Sequence, residues 1–326
     1  MPYAALTGWG MSVPERILSN ADLERLVDTS DEWIVTRTGI RERRIAGPGE
    51  TSASLGAVAA QQALERAGVR AADVDLLVVA TSTPDQLMPS AACLIQTRIG
   101  AVRAGPLDVN AACAGFGYAL AVGAQFVRSG ASRTALVVGA DTLSRFINYQ
   151  DRNTCILFGD GAGAVVLQAS EKPGGVLSVD LGAMIGTADL LEIPGGGGAR
   201  PPTHETVDHN LHYMTMQGPE VFKHAVRAMG ESSAKVIADA GLTPDDVALF
   251  IPHQANLRII KAAARHLEMP MERVFVNIER YGNTSAATIP ICICEADQAG
   301  RLRSGDVIVM SAFGGGLAWA SALIRM

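Results

Sequence analysis

The sequence lacks the features of secreted, membrane-spanning and nucleic-acid-binding proteins. Charged residues make up only 18% of the chain and hydrophobic residues 48%, which is typical of a compact globular protein with a large core. The net charge of -6 gives no general attraction for nucleic acid. No window contains the roughly 18 uncharged apolar residues of a membrane span, and residues 1–10 lack the basic region and apolar run of a signal peptide. We therefore expect a soluble, cytoplasmic protein.

Cysteine is scarce and irregularly spaced. The five cysteines, at positions 93, 113, 155, 292 and 294, form neither a disulfide framework nor the paired spacing of a zinc site. This spacing indicates reduced thiols, as in cytoplasmic proteins. The histidines at 204, 209 and 212 follow no helical spacing, and the nearby prolines indicate a loop. We expect no metal site and no bound cofactor.

Two glycine-rich stretches lack the context of a dinucleotide site. Gly159-x-Gly161-x-Gly163 precedes a predicted strand instead of following one, and no helix with an acidic ribose partner comes after it. It therefore predicts a turn. The second stretch, Phe313-Gly314-Gly315-Gly316, follows a predicted strand. It suits either a phosphate cradle or a close approach of the backbone to a reacting group.

The sequence does contain an internal repeat. Ala67-Gly68-Val69 before one apolar strand matches Ala240-Gly241-Leu242 before another, and each half also contains one wholly apolar helix. We interpret the chain as a duplicated α/β unit, with halves at residues 1–172 and 173–326. Each half is expected to form a sheet with helices on both faces. The two apolar helices would then pack between the sheets.

Cys113 is the first candidate for chemistry. A predicted strand ends at Asn110, and the residues from Cys113 to Val127 are almost all small or apolar, which predicts a buried helix. A cysteine at the start of such a helix faces its positive end, so we expect a lowered thiol pKa. The alternative is a small cysteine that only fills the core. This stretch alone leaves both interpretations open.

The repeat brings two further residues toward Cys113. His253 follows the strand that matches Leu76–Ala80, and Asn283 precedes the helix that matches the one after Cys113. Because functional groups in α/β folds gather at strand ends, we expect the three side chains to converge. A lone histidine or asparagine is more often structural. The convergence of three by internal symmetry favours a nucleophile over a core cysteine.

Together these motifs resemble β-ketoacyl-acyl-carrier-protein synthase III, the initiating ketosynthase of the thiolase superfamily. The resemblance extends from Thr7 to the C-terminus and implies a thiolase-like, internally duplicated five-layered α-β-α-β-α fold. The motifs that carry it are Asn110-Ala-Ala-Cys113-Ala-Gly-Phe, Phe158-Gly-Asp-Gly-Ala-Gly163, His253-Gln-Ala-Asn256, Tyr281-Gly-Asn283-Thr-Ser, Phe313-Gly-Gly-Gly316 and, most specific of all, Trp33-Ile-Val-Thr-Arg37-Thr-Gly-Ile.

The resemblance implies an acyltransferase that begins type II fatty-acid synthesis. An acyl-CoA would acylate Cys113, and malonyl-acyl carrier protein would then lose CO2 and attack the acyl group. His253 and Asn283 would donate hydrogen bonds to the malonyl thioester oxygen. The backbone N–H groups of Cys113 and Gly315 would form an oxyanion hole for the acyl carbonyl.

The resemblance also implies binding surfaces. Acyl-CoA would contact Thr29, Trp33, Arg37, Arg152 and Asn256, with the indole against adenine and the arginines near phosphates. The family is homodimeric, and Met88 takes the position that reaches the partner's acyl pocket, where other members often carry Phe. The remaining implied residues are Phe313 against the catalytic pair at the acyl pocket and a basic face for the acidic carrier protein, formed by Lys223, Arg258 and Arg265.

Three alternatives stay open at the sequence level. The basic face suits a solvated helix surface as well as a docking site. A secondary-metabolism ketosynthase or acyltransferase with another acceptor would keep every residue named above. A non-catalytic partner subunit is disfavoured because Cys113, His253 and Asn283 are all present. The preferred acyl primer does not follow from the sequence.

Overall fold

The fold is built from thirteen strands and eleven α-helices, and the computed structural model describes residues 1–326. The strands are β1 (Tyr3–Ser12), β2 (Ile17–Ser19), β3 (Glu42–Arg44), β4 (Leu76–Ala80), β5 (Gly105–Val109), β6 (Thr134–Thr142), β7 (Asp160–Ser170), β8 (Gly175–Ala183), β9 (Leu191–Glu192), β10 (Thr215–Met216), β11 (Leu249–Pro252), β12 (Val307–Gly314) and β13 (Ala318–Arg325). The helices are α1 (Asn20–Leu23), α2 (Asp31–Thr38), α3 (Ser52–Ala67), α4 (Ala91–Ile99), α5 (Gly115–Arg128), α6 (Arg152–Cys155), α7 (His204–Asp208), α8 (Gly218–Asp239), α9 (Leu257–His266), α10 (Ile278–Tyr281) and α11 (Thr288–Gln298).

Two mixed sheets repeat the same strand order. The first runs β1-β7-β6-β4-β5 and the second β8-β13-β12-β11. In the order given, the first two pairs of neighbouring strands in each sheet are antiparallel, and the third pair is parallel. Where the first sheet ends in β5, the second has a single parallel bridge between Phe250 and Val274. The predicted duplication is therefore present in the sheets. The division after residue 172 lies between β7 and β8, and we retain it as a proposal.

The helices complete five layers. Helices α3 and α4 cover the outer face of the first sheet, and α8 packs on the second sheet with α9 beside it. Helices α5 and α11 lie between the sheets, and their apolar side chains share the largest buried cluster of the protein. This confirms the α-β-α-β-α arrangement.

Local sequence signals account for the element boundaries. Thr51 caps α3 by accepting a hydrogen bond from the Ser54 N–H, and Gly68 ends the helix in the left-handed conformation. All five residues of β4 and all nine of β6 are buried, as expected for strands covered on both faces. Complete burial of each large aliphatic side chain contributes about 1.5–3 kcal/mol.

Two expectations about individual segments were wrong. Strand β5, expected to be buried, is half-exposed because it forms the edge of the first sheet. Residues 186–216, expected to be a long loop, contain α7 and a two-stranded ribbon of β9 and β10. Thr203 starts α7 by capping the N–H of Thr206, so a short capped turn forms where proline and glycine suggested only a loop. None of the helices is long and apolar enough to cross a membrane.

Candidate active site

Cys113 lies in a strained turn between β5 and α5. Residues Ala112–Ala114 form one 3-10 turn, and α5 continues directly from Gly115. Ala112 has φ of 47°, a left-handed conformation that costs a residue with a side chain about 1–3 kcal/mol. The same strained turn recurs at Ser285–Ala287, where Ser285 has φ of 53° and α11 follows. The two turns are therefore equivalent in the internal repeat, since each precedes the central helix of its half.

The turns at Ala112–Ala114 and Ser285–Ala287 lie close together because the neighbouring strand β6 has a glycine, Gly139, where the second turn packs against it. A Cβ atom on Gly139 in β6 would lie 2.3 Å from the carbonyl oxygen of Ala286. Only glycine permits this approach, so β6 lets the second turn pack close to the first. The Ser285 and Asn283 side chains consequently lie near the Cys113 thiol, where they lower its pKa.

Asn283 is fixed with its amide N–H groups available. Its backbone N–H donates to the Leu157 carbonyl at 2.8 Å, and its carbonyl accepts from Gly159 at 3.0 Å. Its Oδ1 atom accepts from the Ser285 N–H at 2.8 Å. Because that oxygen is already engaged, the Nδ2 group is the one free to donate to a reacting atom.

His253 presents one nitrogen without a partner. It follows β11 directly, and its backbone N–H donates to Ser311 at 2.7 Å. Its Nδ1 atom lies 2.7 Å from the Thr288 hydroxyl, while Nε2 is buried and has no hydrogen-bond partner. Burial lowers the pKa of His253 from 6.5 to about 3, so the ring is neutral.

The expectation of a lowered thiol pKa was wrong for this structure. Burial raises the pKa of Cys113 to about 12, although hydrogen bonds from Ser285 and Asn283 oppose the rise. The nearby carboxylate of Asp141 raises it further. The cost of placing a charge among buried apolar groups therefore outweighs the favourable end of α5. Cys113 rests as a thiol, and its proton must leave as it reacts.

Asp141 is a buried residue that the sequence reasoning missed. Its carboxylate accepts hydrogen bonds from the Ser82 N–H at 2.8 Å and the Thr83 hydroxyl at 3.0 Å, and from the Ala286 N–H at 3.2 Å. It thereby ties the end of β6 to the turn at Ser285–Ala287. Ser285 was also missed, although it lies inside the Asn283-Thr284-Ser285 motif that was singled out.

A cavity of about 670 Å³ joins the three catalytic candidates to the surface. Cys113, His253 and Asn283 line its buried part, whereas the half-buried Trp33 and the exposed Arg37 line its outer part. A channel with this lining suits a long substrate that carries its reactive group at one end.

A second cavity, of about 570 Å³, meets the first at Cys113. Most of its exposed wall area is apolar, and its polar side chains are Ser82, Gln86, Asn110, Glu192, His212 and Ser285. The cavity is bounded in part by the ribbon of residues 191–216 that was expected to be a loop. Its apolar residues include Leu87, Leu143, Phe146, Phe158, Leu191, Ile193 and Met214.

Comparison with known proteins decides the family. The models described as 3-oxoacyl-[acyl-carrier-protein] synthase III and its C-terminal region match residues 107–184 and 237–326. A β-ketoacyl-[acyl-carrier-protein] synthase III of Roseiflexus is 59% identical over 99% of this chain and 98% of its own. The chain belongs to the β-ketoacyl-acyl-carrier-protein synthase III family. It is therefore an acyltransferase of the condensing type, which initiates fatty-acid synthesis.

Solved structures agree with this family and its thiolase-like fold. The 3-oxoacyl-[acyl-carrier-protein] synthase III of Aquifex aeolicus is 45% identical, with a TM-score of 0.92 over 99% of this chain and 100% of that one. A priming β-ketosynthase of a polyketide biosynthetic pathway is 36% identical, with a TM-score of 0.93 over 100% of this chain and 96% of that one.

The glycine turn predicted to form an oxyanion hole lies against Cys113. A Cβ atom on Gly314 would come 2.5 Å from the Cys113 backbone nitrogen, so only glycine fits there. Gly315 lines the second cavity beside Cys113, and its N–H makes no hydrogen bond within the chain. The sequence left open whether this turn binds a phosphate group or approaches a reacting group. The free N–H of Gly315 beside the Cys113 thiol favours the second interpretation.

The predicted nucleotide-binding residues cluster around one indole ring. The guanidinium carbons of Arg37 and Arg152 lie 4.5 and 5.0 Å from the centre of the Trp33 ring. Arg152 also donates to the Asp28 carbonyl at 3.0 Å, next to Thr29, whose buried hydroxyl has no partner. The indole ring therefore lies beside two cationic groups at the mouth of the first cavity.

The remaining predicted residues lie at different surfaces. Phe313 lines the first cavity together with His253 and Asn283, and its ring packs into the outer core with α8. Met88 is 84% exposed and lines neither cavity of its own chain. Asn256 lines the first cavity, and its Oδ1 atom caps α9.

The three basic residues expected to dock the carrier protein are exposed. Lys223 lies on α8, and Arg258 and Arg265 lie on α9, which packs beside α8. Arg258 also lines the first cavity, with its guanidinium 5.4 Å from the Phe222 ring. A basic face therefore adjoins the cavity, as a docking site requires.

Proposed function

We propose that this synthase III condenses an acyl-CoA with malonyl-acyl carrier protein to give 3-oxoacyl-acyl carrier protein, CoA and CO2. The observation that carries the proposal is the position of Cys113. It lies where an apolar cavity, suited to an acyl chain, meets a channel lined by His253 and Asn283. A thiol at such a junction can hold the acyl group on one side while the second substrate enters from the other.

In the first half-reaction, the Cys113 sulfur bonds to the acyl carbonyl carbon. The bond from that carbon to the CoA sulfur breaks, and the thiol proton passes to the leaving sulfur. The N–H groups of Cys113 and Gly315 stabilise the negative carbonyl oxygen, and Ser285 donates to the reacting sulfur. Because the thiol pKa is about 12 in the empty site, proton loss accompanies attack instead of preceding it.

In the second half-reaction, malonyl thioester replaces CoA in the channel. The carbon–carbon bond to its carboxylate breaks, CO2 leaves, and negative charge develops on the thioester oxygen. His253 and Asn283 donate to that oxygen, and one such donor contributes about 3–4 kcal/mol. The carbanion then attacks the acyl carbonyl, and the Cys113 sulfur leaves. A neutral His253 suits this step because it adds no charge that must be buried beforehand.

The nucleotide of CoA is proposed to bind at the channel mouth. Adenine would stack on Trp33, while Arg37 and Arg152 would contact phosphates. Asn256 lines the channel and retains an amide N–H after capping α9, so it can bind this substrate. Thr29, which follows the Asp28 that binds Arg152, is proposed to contact it beside that arginine. The CoA is a substrate, and we propose that the enzyme needs no resident cofactor or metal.

The carrier protein is proposed to dock on Lys223, Arg258 and Arg265. An acidic protein would be attracted to this face although the chain as a whole has a net charge of -6. From there a pantetheine arm could enter the cavity that Arg258 borders.

We propose a cytoplasmic homodimer in which Met88 closes the partner's acyl cavity. The half-exposed edge strand β5 and the exposed Leu87 and Met88 support this proposal, because such apolar surface is rarely left in water. The primer would then depend on both chains. A polyketide-priming or other acceptor role has weaker support, since the curated relatives at 49–59% identity are all named β-ketoacyl-acyl-carrier-protein synthase III.

Intact-mass measurement tests the reaction. After mixing with a panel of acyl-CoAs, the protein should gain one acyl group, and malonyl-acyl carrier protein should then remove it with release of CO2. Cys113→Ala should form no adduct, whereas the matched control Cys93→Ala should form it normally. An adduct on Cys113→Ala would contradict the assignment. A product formed with another acceptor but not with malonyl-acyl carrier protein would favour the alternative.

A further inference from the structure

A hydroxyl lies directly behind the catalytic imidazole. Thr288, the first residue of α11, is 3% exposed. Its Oγ1 atom is 2.7 Å from Nδ1 of His253 and 3.1 Å from the carbonyl oxygen of Ser285. A hydroxyl has one proton to donate, and a carbonyl oxygen can only accept. When Thr288 donates to Ser285, it must therefore accept from a proton on Nδ1.

With the Thr288 hydroxyl donating to Ser285, His253 carries its proton on Nδ1. A neutral imidazole has a single N–H, so a proton on Nδ1 leaves a lone pair on Nε2. Nε2 has no partner in the protein, and His253 lines the cavity together with Cys113. In the empty enzyme, the nitrogen available to the reaction is consequently an acceptor and not the donor that decarboxylation needs.

A second arrangement is available at small cost. If the Thr288 hydroxyl turns toward His253, it donates to Nδ1, and the ring proton then lies on Nε2. The Ser285 carbonyl keeps a partner in both arrangements, because it also accepts from the backbone N–H of Thr288. Turning the hydroxyl thus leaves no buried polar group unsatisfied.

We propose that Thr288 is a positioning residue that lets His253 act as an acceptor in acylation and as a donor in decarboxylation. The inference rests on the two half-reactions of the proposed function. In acylation, Nε2 accepts a hydrogen bond from the Cys113 thiol as the new sulfur–carbon bond forms, and the thiol proton passes to the CoA sulfur as the old thioester bond breaks. The neutral ring then exchanges its proton with water, and Nε2–H donates to the malonyl thioester oxygen.

Nitrogen NMR of the histidine rings tests the tautomer directly. The chain has six histidines, and loss of one signal set in His253→Gln assigns the ring. The free wild-type enzyme should show a protonated Nδ1 and an unprotonated Nε2. Thr288→Val keeps the shape but removes the acceptor, so its ring should carry the proton on Nε2. Thr288→Ser should restore the wild-type pattern.

The half-reactions supply the second readout. In Thr288→Val, acylation by acetyl-CoA should fall about tenfold, the effect of losing one hydrogen bond. Release of CO2 from malonyl-acyl carrier protein should change by no more than about threefold, and Thr288→Ser should behave as wild type in both. Equal losses in the two half-reactions would show a purely structural role and overturn the proposal.

The NMR result stands apart from the proposed reaction. A protonated Nε2 in the free wild-type enzyme would overturn the tautomer assignment even if condensation proceeds normally. Conversely, a wild-type enzyme that forms no acyl adduct would refute the proposed function and leave the ring assignment to be judged on its own signals. If Thr288→Val does not fold, the wild-type spectrum and Thr288→Ser still decide the tautomer.

Discussion

At the residue scale, hydrogen-bond partners assign the role of each polar atom in the site. Asn283 has its oxygen engaged by Ser285, so its N–H groups face the chemistry. His253 has Nδ1 engaged by Thr288, so Nε2 faces the chemistry. Burial keeps both His253 and Cys113 uncharged before substrate enters. Cys113 and His253 therefore begin the cycle neutral, and charge develops on the reacting atoms only during reaction.

The buried histidine predicts a specific dependence of stability on pH. The folded-state pKa of His253 is lowered to about 3 from 6.5, so its contribution is fully present above pH 6.5 and is lost as pH falls toward 3. Between pH 7 and pH 5 the wild type should lose about 2 kcal/mol of unfolding free energy that His253→Gln does not lose. Urea unfolding of both proteins at the two pH values measures this.

The comparison of the two proteins removes the effect of other groups. Asp141 and Asp160 have raised pKa values through burial, so their contributions change in the opposite direction as pH falls. They are present in wild type and variant alike and cancel in the difference. Parallel pH profiles of the two proteins would show that His253 titrates as readily when folded as when unfolded.

At the scale of elements, short turns and helix ends place the chemistry. The 3-10 turns before α5 and α11 each begin at a residue with positive φ, and together they bring Cys113 to Ser285. Helix α2 carries both Trp33 and Arg37, and α6 begins with Arg152. The channel mouth is thus formed by two short helices that meet around a single ring.

Removing the two arginines should separate nucleotide binding from catalysis. Arg37→Ala with Arg152→Ala should weaken acyl-CoA binding by about 1.5–3 kcal/mol for each charged hydrogen bond lost. A short acyl-pantetheine thioester lacks the nucleotide, so its rate of acylation should hardly change. Calorimetry with acyl-CoA and single-turnover acylation with both substrates measure the two effects. Arg98→Ala, an exposed arginine on α4, is the matched control.

The same experiment has a clear contrary outcome. If the double variant lost as much activity with the pantetheine thioester as with acyl-CoA, the arginines would act on the fold or on the thiol. Binding unchanged with both substrates would place the nucleotide elsewhere. Tighter binding would indicate that the arginines on Trp33 chiefly exclude adenine.

At the scale of the whole molecule, duplication creates a junction between two cavities. Each half contributes a sheet, a central helix and a strained turn, and the proposed catalytic residues come from both halves. Cys113 belongs to the first half, whereas His253 and Asn283 belong to the second. The proposed acyl cavity is lined by the exposed Leu87, on the side where a second chain is proposed to bind.

A charge at position 88 tests the proposed dimer and its shared cavity. Sedimentation should give twice the chain mass of 34.1 kDa. If Met88 enters the partner's cavity, Met88→Asp should reduce acylation by longer primers much more than by acetyl-CoA, since a buried carboxylate disfavours an apolar neighbour. Val58→Asp, at an exposed apolar residue on α3, should keep the wild-type profile. An unchanged primer profile in Met88→Asp would remove that residue from the cavity.

Much of the architecture could be predicted from sequence because its signals are local or repetitive. Thr51 and Gly68 mark the ends of α3, and the uniform apolar stretch of β4 identifies a strand covered on both faces. The internal repeat predicted that Cys113, His253 and Asn283 converge, but it gave no interatomic distances. The Trp33–Arg37 segment predicted a nucleotide-binding surface on α2, although not the contact between the Arg37 guanidinium and the Trp33 ring.

The sequence by itself therefore determined the family, the duplicated fold and the three catalytic candidates, because each depends on patterns along the chain. The tertiary structure alone decided the protonation and hydrogen bonding of those residues. The raised pKa of Cys113 depends on burial and on Asp141, which lies far from it in sequence. The partner of His253 is Thr288, 35 residues away. Such properties depend on what surrounds an atom in space, and only the folded chain brings those neighbours together.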